Sequence, residues 1–183
     1  VKGHIYIEGS DSYEDKIRCR QAFRTLLAKC GFEKRMPRLS PCGGRNATFD
    51  RFKTALAQAA AGDYIALLID SEDPIADPDR TWAHLAKRDP SWTKPANATD
   101  EHVLIMTTCM ETWIAAARQP SETRSRHDVQ DKLTHATRNC PNAYAKGKRS
   151  FEILEQLDPD ALMALPSFAR AVRILRSQLL LQQ

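Results

Sequence analysis

No stretch of this 183-residue chain approaches the roughly 20 consecutive apolar residues that a membrane helix needs, and no apolar core follows Val1-Lys2-Gly3 as it would in a secretory leader. The expectation is a soluble, cytoplasmic protein. Cysteine is scarce and unpaired: Cys19, Cys30, Cys42, Cys109 and Cys140 are odd in number and have no close spacing, so they read as reduced packing residues and not as a disulfide framework or zinc site. The histidines (His4, His84, His102, His127, His135) show no His-Glu-x-x-His or other ligand spacing. There is no internal repeat and no low-complexity run. With no secretory signal, Asn46-Ala47-Thr48 carries no meaning as a glycosylation acceptor.

A surplus of one charge is also lacking over most of the chain. Lys and Arg number 16 against 16 Asp and Glu in residues 1–117, and 11 against 7 in residues 118–183. The net charge of +4 therefore comes from the second part, and permits a polyanionic partner without requiring one. The length suits one well-cored domain.

What is present is a set of acids at the ends of apolar runs. His4-Ile5-Tyr6-Ile7 closes on Glu8, and Tyr64-Ile65-Ala66-Leu67-Leu68-Ile69 runs into Asp70-Ser71-Glu72-Asp73. Both runs read as strands, and open α/β sheets place ligands beyond the carboxyl ends of parallel strands. If the second strand continues, period-two alternation points Asp70 and Glu72 the same way. Asp73 then diverges, but stays among the candidate ligands. Hard cations such as Mg²⁺ take oxygen ligands, with one or two carboxylates beside water and phosphate, which Glu8, Asp70 and Glu72 could supply.

The intervening pattern is strand, helix, strand, helix, strand. Asp11-Ser12-Tyr13-Glu14 caps a helix stopped by Gly31; an extended piece covers Met36 to Leu39; Ser40-Pro41-Cys42-Gly43-Gly44-Arg45 reads as a loop; a helix covers about Thr48 to Ala61. Such alternation predicts parallel pairing with helices on both faces. Pro74 to Ala98 reads as an ordered excursion with a short helix near Asp79 to Lys87, and Trp82, Trp92 and Trp113 as core residues. Val103 to Thr108 predicts a fourth strand leading into a helix that carries Glu111. Helices are expected around Asp128 to Thr137, Arg149 to Leu157 and Pro166 to Leu181.

Ile5-Tyr6-Ile7-Glu8-Gly9, Gly43-Gly44-Arg45-Asn46, Leu68-Ile69-Asp70-Ser71-Glu72, Met110-Glu111-Thr112-Trp113 and Tyr144-Ala145-Lys146-Gly147-Lys148-Arg149-Ser150-Phe151 together resemble the DUF4276 family, Toprim-like proteins of bacteria. The resemblance runs in order along nearly the whole chain. It implies a Toprim-like α/β core over residues 1–118, with a mostly parallel four-stranded sheet flanked by helices, and a helical extension over residues 119–183 packed on the same domain. Toprim domains carry a glutamate after the first strand and an Asp-x-Asp after a later one, and use them with Mg²⁺ in phosphoryl transfer. By that resemblance Glu8 matches the glutamate, Asp70 the first aspartate and Glu72 the second acid. Where relatives are expected to carry a further aspartate after Met-Glu-x-Trp, this chain has Ala115-Ala116-Ala117-Arg118. The resemblance also implies a partner ATPase of the ABC/SMC type and a role in defence against phage.

The resulting expectation is an endonuclease dependent on Mg²⁺ or Mn²⁺, cleaving DNA or RNA, tRNA included. Asp70 and Glu72 would ligate the metal, and Glu8 would either complete the ligand set or take a proton from the attacking water. Gly43-Gly44-Arg45 before a helix either holds a phosphate or is a plain glycine turn; the Gly-Lys-Ser/Thr ending of a P-loop is absent. Lys146 is a candidate catalytic residue, and Lys148 and Arg149 are candidate phosphate-backbone contacts, with a solvated basic turn as the competing reading. Glu111 either orients Lys146 or a metal-bound water, or is a helix-start residue. Arg170, Arg173 and Arg176 read as a wet helix face. The rival for the whole chain is a non-catalytic, Toprim-shaped subunit docking on the ATPase, its acids being ordinary turn residues.

Overall fold

The computed structural model describes residues 2–115, 124–138, 144 and 148–181, with Lys148 by its backbone alone. In chain order the elements are β1 (Gly3–Glu8), α1 (Tyr13–Leu27), β2 (Arg38–Gly43), α2 (Arg45–Ala57), β3 (Tyr64–Asp70), α3 (Thr81–Arg88), β4 (Val103–Met106), α4 (Met110–Ala115), α5 (Arg126–Thr137), α6 (Lys148–Gln156), α7 (Pro159–Leu162) and α8 (Pro166–Leu179). The four strands are all parallel, in the order β2-β1-β3-β4. This is the α/β architecture that the strand and helix alternation predicts.

From β1 the chain crosses to β2 on one side and later to β3 on the other, so the order reverses between β1 and β3. A reversal of this kind opens a crevice at the carboxyl ends of the two strands. Glu8 ends β1 and Asp70 ends β3.

Side-chain alternation divides the interior into two layers. Ile5, Ile7, Leu39, Ala66, Leu68, Leu104 and Met106 pack against Phe23 and Leu26 of α1, Leu154 of α6, and Phe168, Val172 and Leu175 of α8. On the opposite face Ile65, Leu67, Ile69, Val103 and Ile105 meet Phe49, Phe52 and Leu56 of α2 and Leu85 of α3. With helices on both faces, β3 is buried at every position. Phe49 stacks on Trp92 at 4.1 Å and meets Trp82 edge-on at 6.4 Å, which fastens the Pro74 to Ala98 excursion to α2. Trp113 lies edge-on to Phe168 at 4.9 Å. All three tryptophans are buried, and Cys19, Cys30, Cys42 and Cys109 are buried free thiols; Cys140 lies outside the described residues.

Three local expectations change. Ser40 to Gly43 is strand and not loop: Pro41 pairs with Ile7, tolerated because among the described residues β2 pairs with β1 alone and a border strand can spare a donor. The following helix starts at Arg45 with Gly44 as its N-cap, ahead of the expected Thr48. Arg170 is 7% exposed, not on a wet face; it donates to the carbonyls of Val103 and Asp100, each at 2.8 Å, where α8 crosses the start of β4. At the other border Arg20 Nε donates to the Leu39 carbonyl at 3.1 Å. Leu175 and Leu179 belong to the core, whereas Leu181 is 76% exposed.

Candidate functional site

The end of β1 and the end of β3 meet through their own backbone: the Asp70 amide donates to Glu8 Oε2 at 3.3 Å. Arg45, in the first turn of α2, reaches across the same edge. Its Nη1 donates to Glu8 Oε2 at 3.2 Å and to the Asp70 carbonyl at 2.6 Å, while Nε and Nη2 hold the Asp89 carboxylate at 3.1 and 2.7 Å. The guanidinium also lies 5.1 Å from the centre of the Trp92 ring, whose indole donates to Asn46 at 3.0 Å. One side chain thus joins β1, β3, α2 and the segment after α3.

Asp70 points to the side of α4. Its Oδ1 accepts the Met110 amide at 2.9 Å, the first N–H of that helix, and its Oδ2 lies 3.8 Å from Arg126 Nη2. The strand does not continue beyond it. Glu72 adopts a left-handed backbone, φ 66°, with its amide donating to the Thr108 carbonyl at 2.8 Å. The alternation argument therefore does not orient Glu72. What brings its carboxylate to Asp70 is Arg126 at the start of α5, whose Nη1 bonds Glu72. Asp73 turns away; it is exposed and faces Arg88 at 3.5 Å.

Glu111 is buried in the first turn of α4, where its Oε1 accepts the Tyr144 hydroxyl at 2.7 Å. Arg149 pairs with Glu152 at 2.8 Å within α6. Lys146 lies outside the described residues, as do Ala116 to Arg118, and of Lys148 the backbone alone is described.

The electrostatics follow from burial. Asp70 titrates well above its ordinary value of 3.8, because it is buried and faces the negative charges of Glu8 and Glu111, with Arg126 offsetting this in part. Burial also raises Glu8, against the pull of Arg45 and the Asp70 amide. Arg126 and Arg45 are held more firmly charged by the acids they touch, despite burial. Cys109, beside Glu111 and Asp70, is pushed up to about 12, first by burial. It is an inert thiol at neutral pH.

Among the described residues no group of three or more His, Cys, Asp or Glu is arranged to enclose a metal ion. The donor chemistry nonetheless fits a hard divalent cation: Glu8, Asp70 and Glu72 offer oxygen alone, at one edge, and Asp70 is buried beside the charges of Glu8 and Glu111. Glu8 Oε1 accepts no hydrogen bond among the described residues. Arg45 and Arg126 supply positive charge at that edge in the arrangement seen.

Arg126 and Asp89 were missed in the sequence. Arg126 sits in a polar run, marked by no more than Ser125 as the N-cap of α5, and Asp89 by its place before Pro90 at the end of α3. Neither signal distinguishes a site residue from a helix boundary. Compared with protein-family models, characterised proteins and solved structures, the chain matches none.

Proposed function

We propose that this chain is a metal-dependent phosphodiesterase of the Toprim type, acting on DNA or RNA. The observation that carries the reading is the contact between Glu8 and the Asp70 backbone across the β1/β3 switch point, with Glu72 brought alongside through Arg126. A bound Mg²⁺ or Mn²⁺ would neutralise the phosphate and activate water there. Asp70 and Glu72 would hold the metal. Glu8 would ligate with its free Oε1 or take the proton of the attacking water, while Arg45 fixes its other oxygen. Arg126 must release Glu72, and its guanidinium is then available to a phosphate oxygen. The DUF4276 resemblance supports the same acids and adds an ABC/SMC-type ATPase partner and an anti-phage role.

A second reading is favoured by the arginine pairing itself: acids already satisfied by Arg45 and Arg126 suit a non-catalytic subunit docking on the ATPase. The two part company in one experiment. The purified chain, alone and with any ATPase that co-purifies, is incubated with plasmid, single-stranded DNA and total tRNA in Mg²⁺, Mn²⁺ or EDTA. The phosphodiesterase reading expects metal-dependent cutting, reduced roughly 100-fold or more by Glu8→Gln and by Asp70→Asn. Cutting that survives both substitutions, or none in any partnered sample, sinks it.

A further inference from the structure

The charge of residues 1–117 balances in number but is unevenly placed, although Arg45 and Arg88 stand among the acids of the carboxyl edge. Because the strands are parallel, their carboxyl ends gather Glu8, Asp70 and Glu72 at one edge of the sheet, and their amino ends face the other way. β1 takes five steps of roughly 3.3 Å from Gly3 to Glu8, so the two edges lie about 16 Å apart.

At the amino edge a 580 Å³ cavity is lined by Lys2, Lys34, Arg35 and Arg38, with Asp63 its one acid among the described residues. A second cavity of 440 Å³ on the outer side of β2 is lined by Arg20, Arg24 and Arg38. Arg38 lines both, so the two cavities adjoin at this residue around the start of the border strand, and together they make a trough. Arg20 and Arg24 are one turn apart on α1, which runs back along the sheet toward this edge. All six cations are exposed, and among the described residues none makes an ion pair, although Glu33 is exposed on the turn that carries Lys34 and Arg35. Arg20 and Arg35 instead spend part of their guanidinium on the carbonyls of Leu39 and Leu179. Elsewhere the exposed cations Lys53, Arg80, Arg88 and Arg173 each face an aspartate, while Arg51, Lys87, Lys94 and Lys132 make no ion pair among the described residues; what sets the six apart is that they line two adjoining cavities.

We infer that this trough binds the phosphate backbone of a nucleic-acid strand, at a surface distinct from the acidic edge. Six unneutralised cations spread over two adjoining cavities suit a polymer with repeated charges better than one compact anion. Such a contact carries little sequence preference, since backbone charge alone is recognised. The choice of nucleic acid as the polyanion rests on the phosphodiesterase reading above; the trough itself does not. A strand held here would be gripped on the side away from the acids, which favours substrates long enough to pass round the β2 border.

Binding is measured by fluorescence anisotropy of a labelled single-stranded oligonucleotide of about 20 nucleotides, between about 50 and 200 mM KCl, in EDTA. The starting protein is the full chain carrying Glu8→Gln. Adding Lys34→Glu and Arg38→Glu should weaken binding at least tenfold and reduce the slope of log K against log salt by about 1.4. A charge-matched control, Lys53→Glu with Arg173→Glu, should stay within about twofold, and circular dichroism checks that each variant folds. Equal weakening by the two pairs, or no binding by the starting protein, overturns the trough as the site. Displacement of the oligonucleotide by poly-glutamate at matched charge overturns nucleic acid as its occupant. If the wild-type chain never cuts but the trough variant still loses binding, the phosphodiesterase reading fails and this one stands; Glu8-dependent cutting with unchanged binding gives the reverse.

Discussion

His4 lies at the amino end of β1, its ring stacked on Tyr6 at 4.2 Å and its Nε2 2.8 Å from the Ser40 hydroxyl. Burial and the nearby charge of Arg38 hold its pKa below 6.5, and burial lowers His102 as well. Above 6.5 both states of the protein leave these rings neutral. As pH falls through 6.5 the unfolded chain takes up protons that the folded chain refuses, so stability is lost until the lowered folded values are reached. Asp70 and Glu8, whose pKa values are raised, act in the opposite sense, so the His4 contribution is read as a difference: between about pH 7.5 and about pH 5.5 the urea midpoint of wild type should fall more, or rise less, than that of His4→Gln. The same pH dependence in wild type and His4→Gln contradicts the assignment. At this scale the sequence was legible where a residue ends an apolar run, as Glu8 and Asp70 do. It was opaque for Arg126, whose role depends on α5 folding back over the end of β3, a long-range event that no local pattern encodes.

The turn from β2 into α2 decides how Arg45 is aimed. Gly43 has φ +99°, a left-handed conformation that costs a residue with a side chain, and a Cβ there would sit 1.9 Å from Asp11 Oδ1. Its carbonyl accepts the Gly9 amide at 2.9 Å, just past Glu8. Gly43→Ala should cost about 1–3 kcal/mol and lower the melting temperature by roughly 2–4 °C for each kcal/mol. Gly44 has open space and an extended backbone at the N-cap, φ −65°, so Gly44→Ser should be neutral or slightly stabilising, within about 1 kcal/mol. Similar losses for the two, in calorimetry, would mean that the turn is not strained as described. Helices and central strands were readable from their periodicity, whereas β2 was cut short because Pro41 marks a loop in the local rules and is admitted to a strand by the border position alone.

Over the whole molecule the larger interior layer runs from Ile5 in β1 to Leu179 in α8. Leu162, Leu165, Phe168, Ala171, Val172, Ile174, Leu175 and Leu179 are all buried in it. Seven of them are large, and at about 1.5–3 kcal/mol each their loss, roughly 10–21 kcal/mol, is comparable to or greater than the roughly 5–15 kcal/mol by which domains are stable. A chain ending at Leu157 should show no cooperative unfolding transition, while Leu181→Ser should lie within about 0.5 kcal/mol of wild type. A truncated chain that unfolds cooperatively would show that α8 is dispensable.

The two borders of the sheet share a property with a consequence for how copies of this chain meet. On β2, Pro41 lacks an N–H and Arg20 occupies the Leu39 carbonyl; on β4, Arg170 occupies the Val103 carbonyl beneath α8. A fifth strand offered at these positions finds a missing donor or an acceptor already engaged, which weakens both borders as templates for further pairing. Crowded copies thereby meet less of the edge-to-edge stacking that seeds fibrils, and contacts between them are turned toward helices, loops and charge.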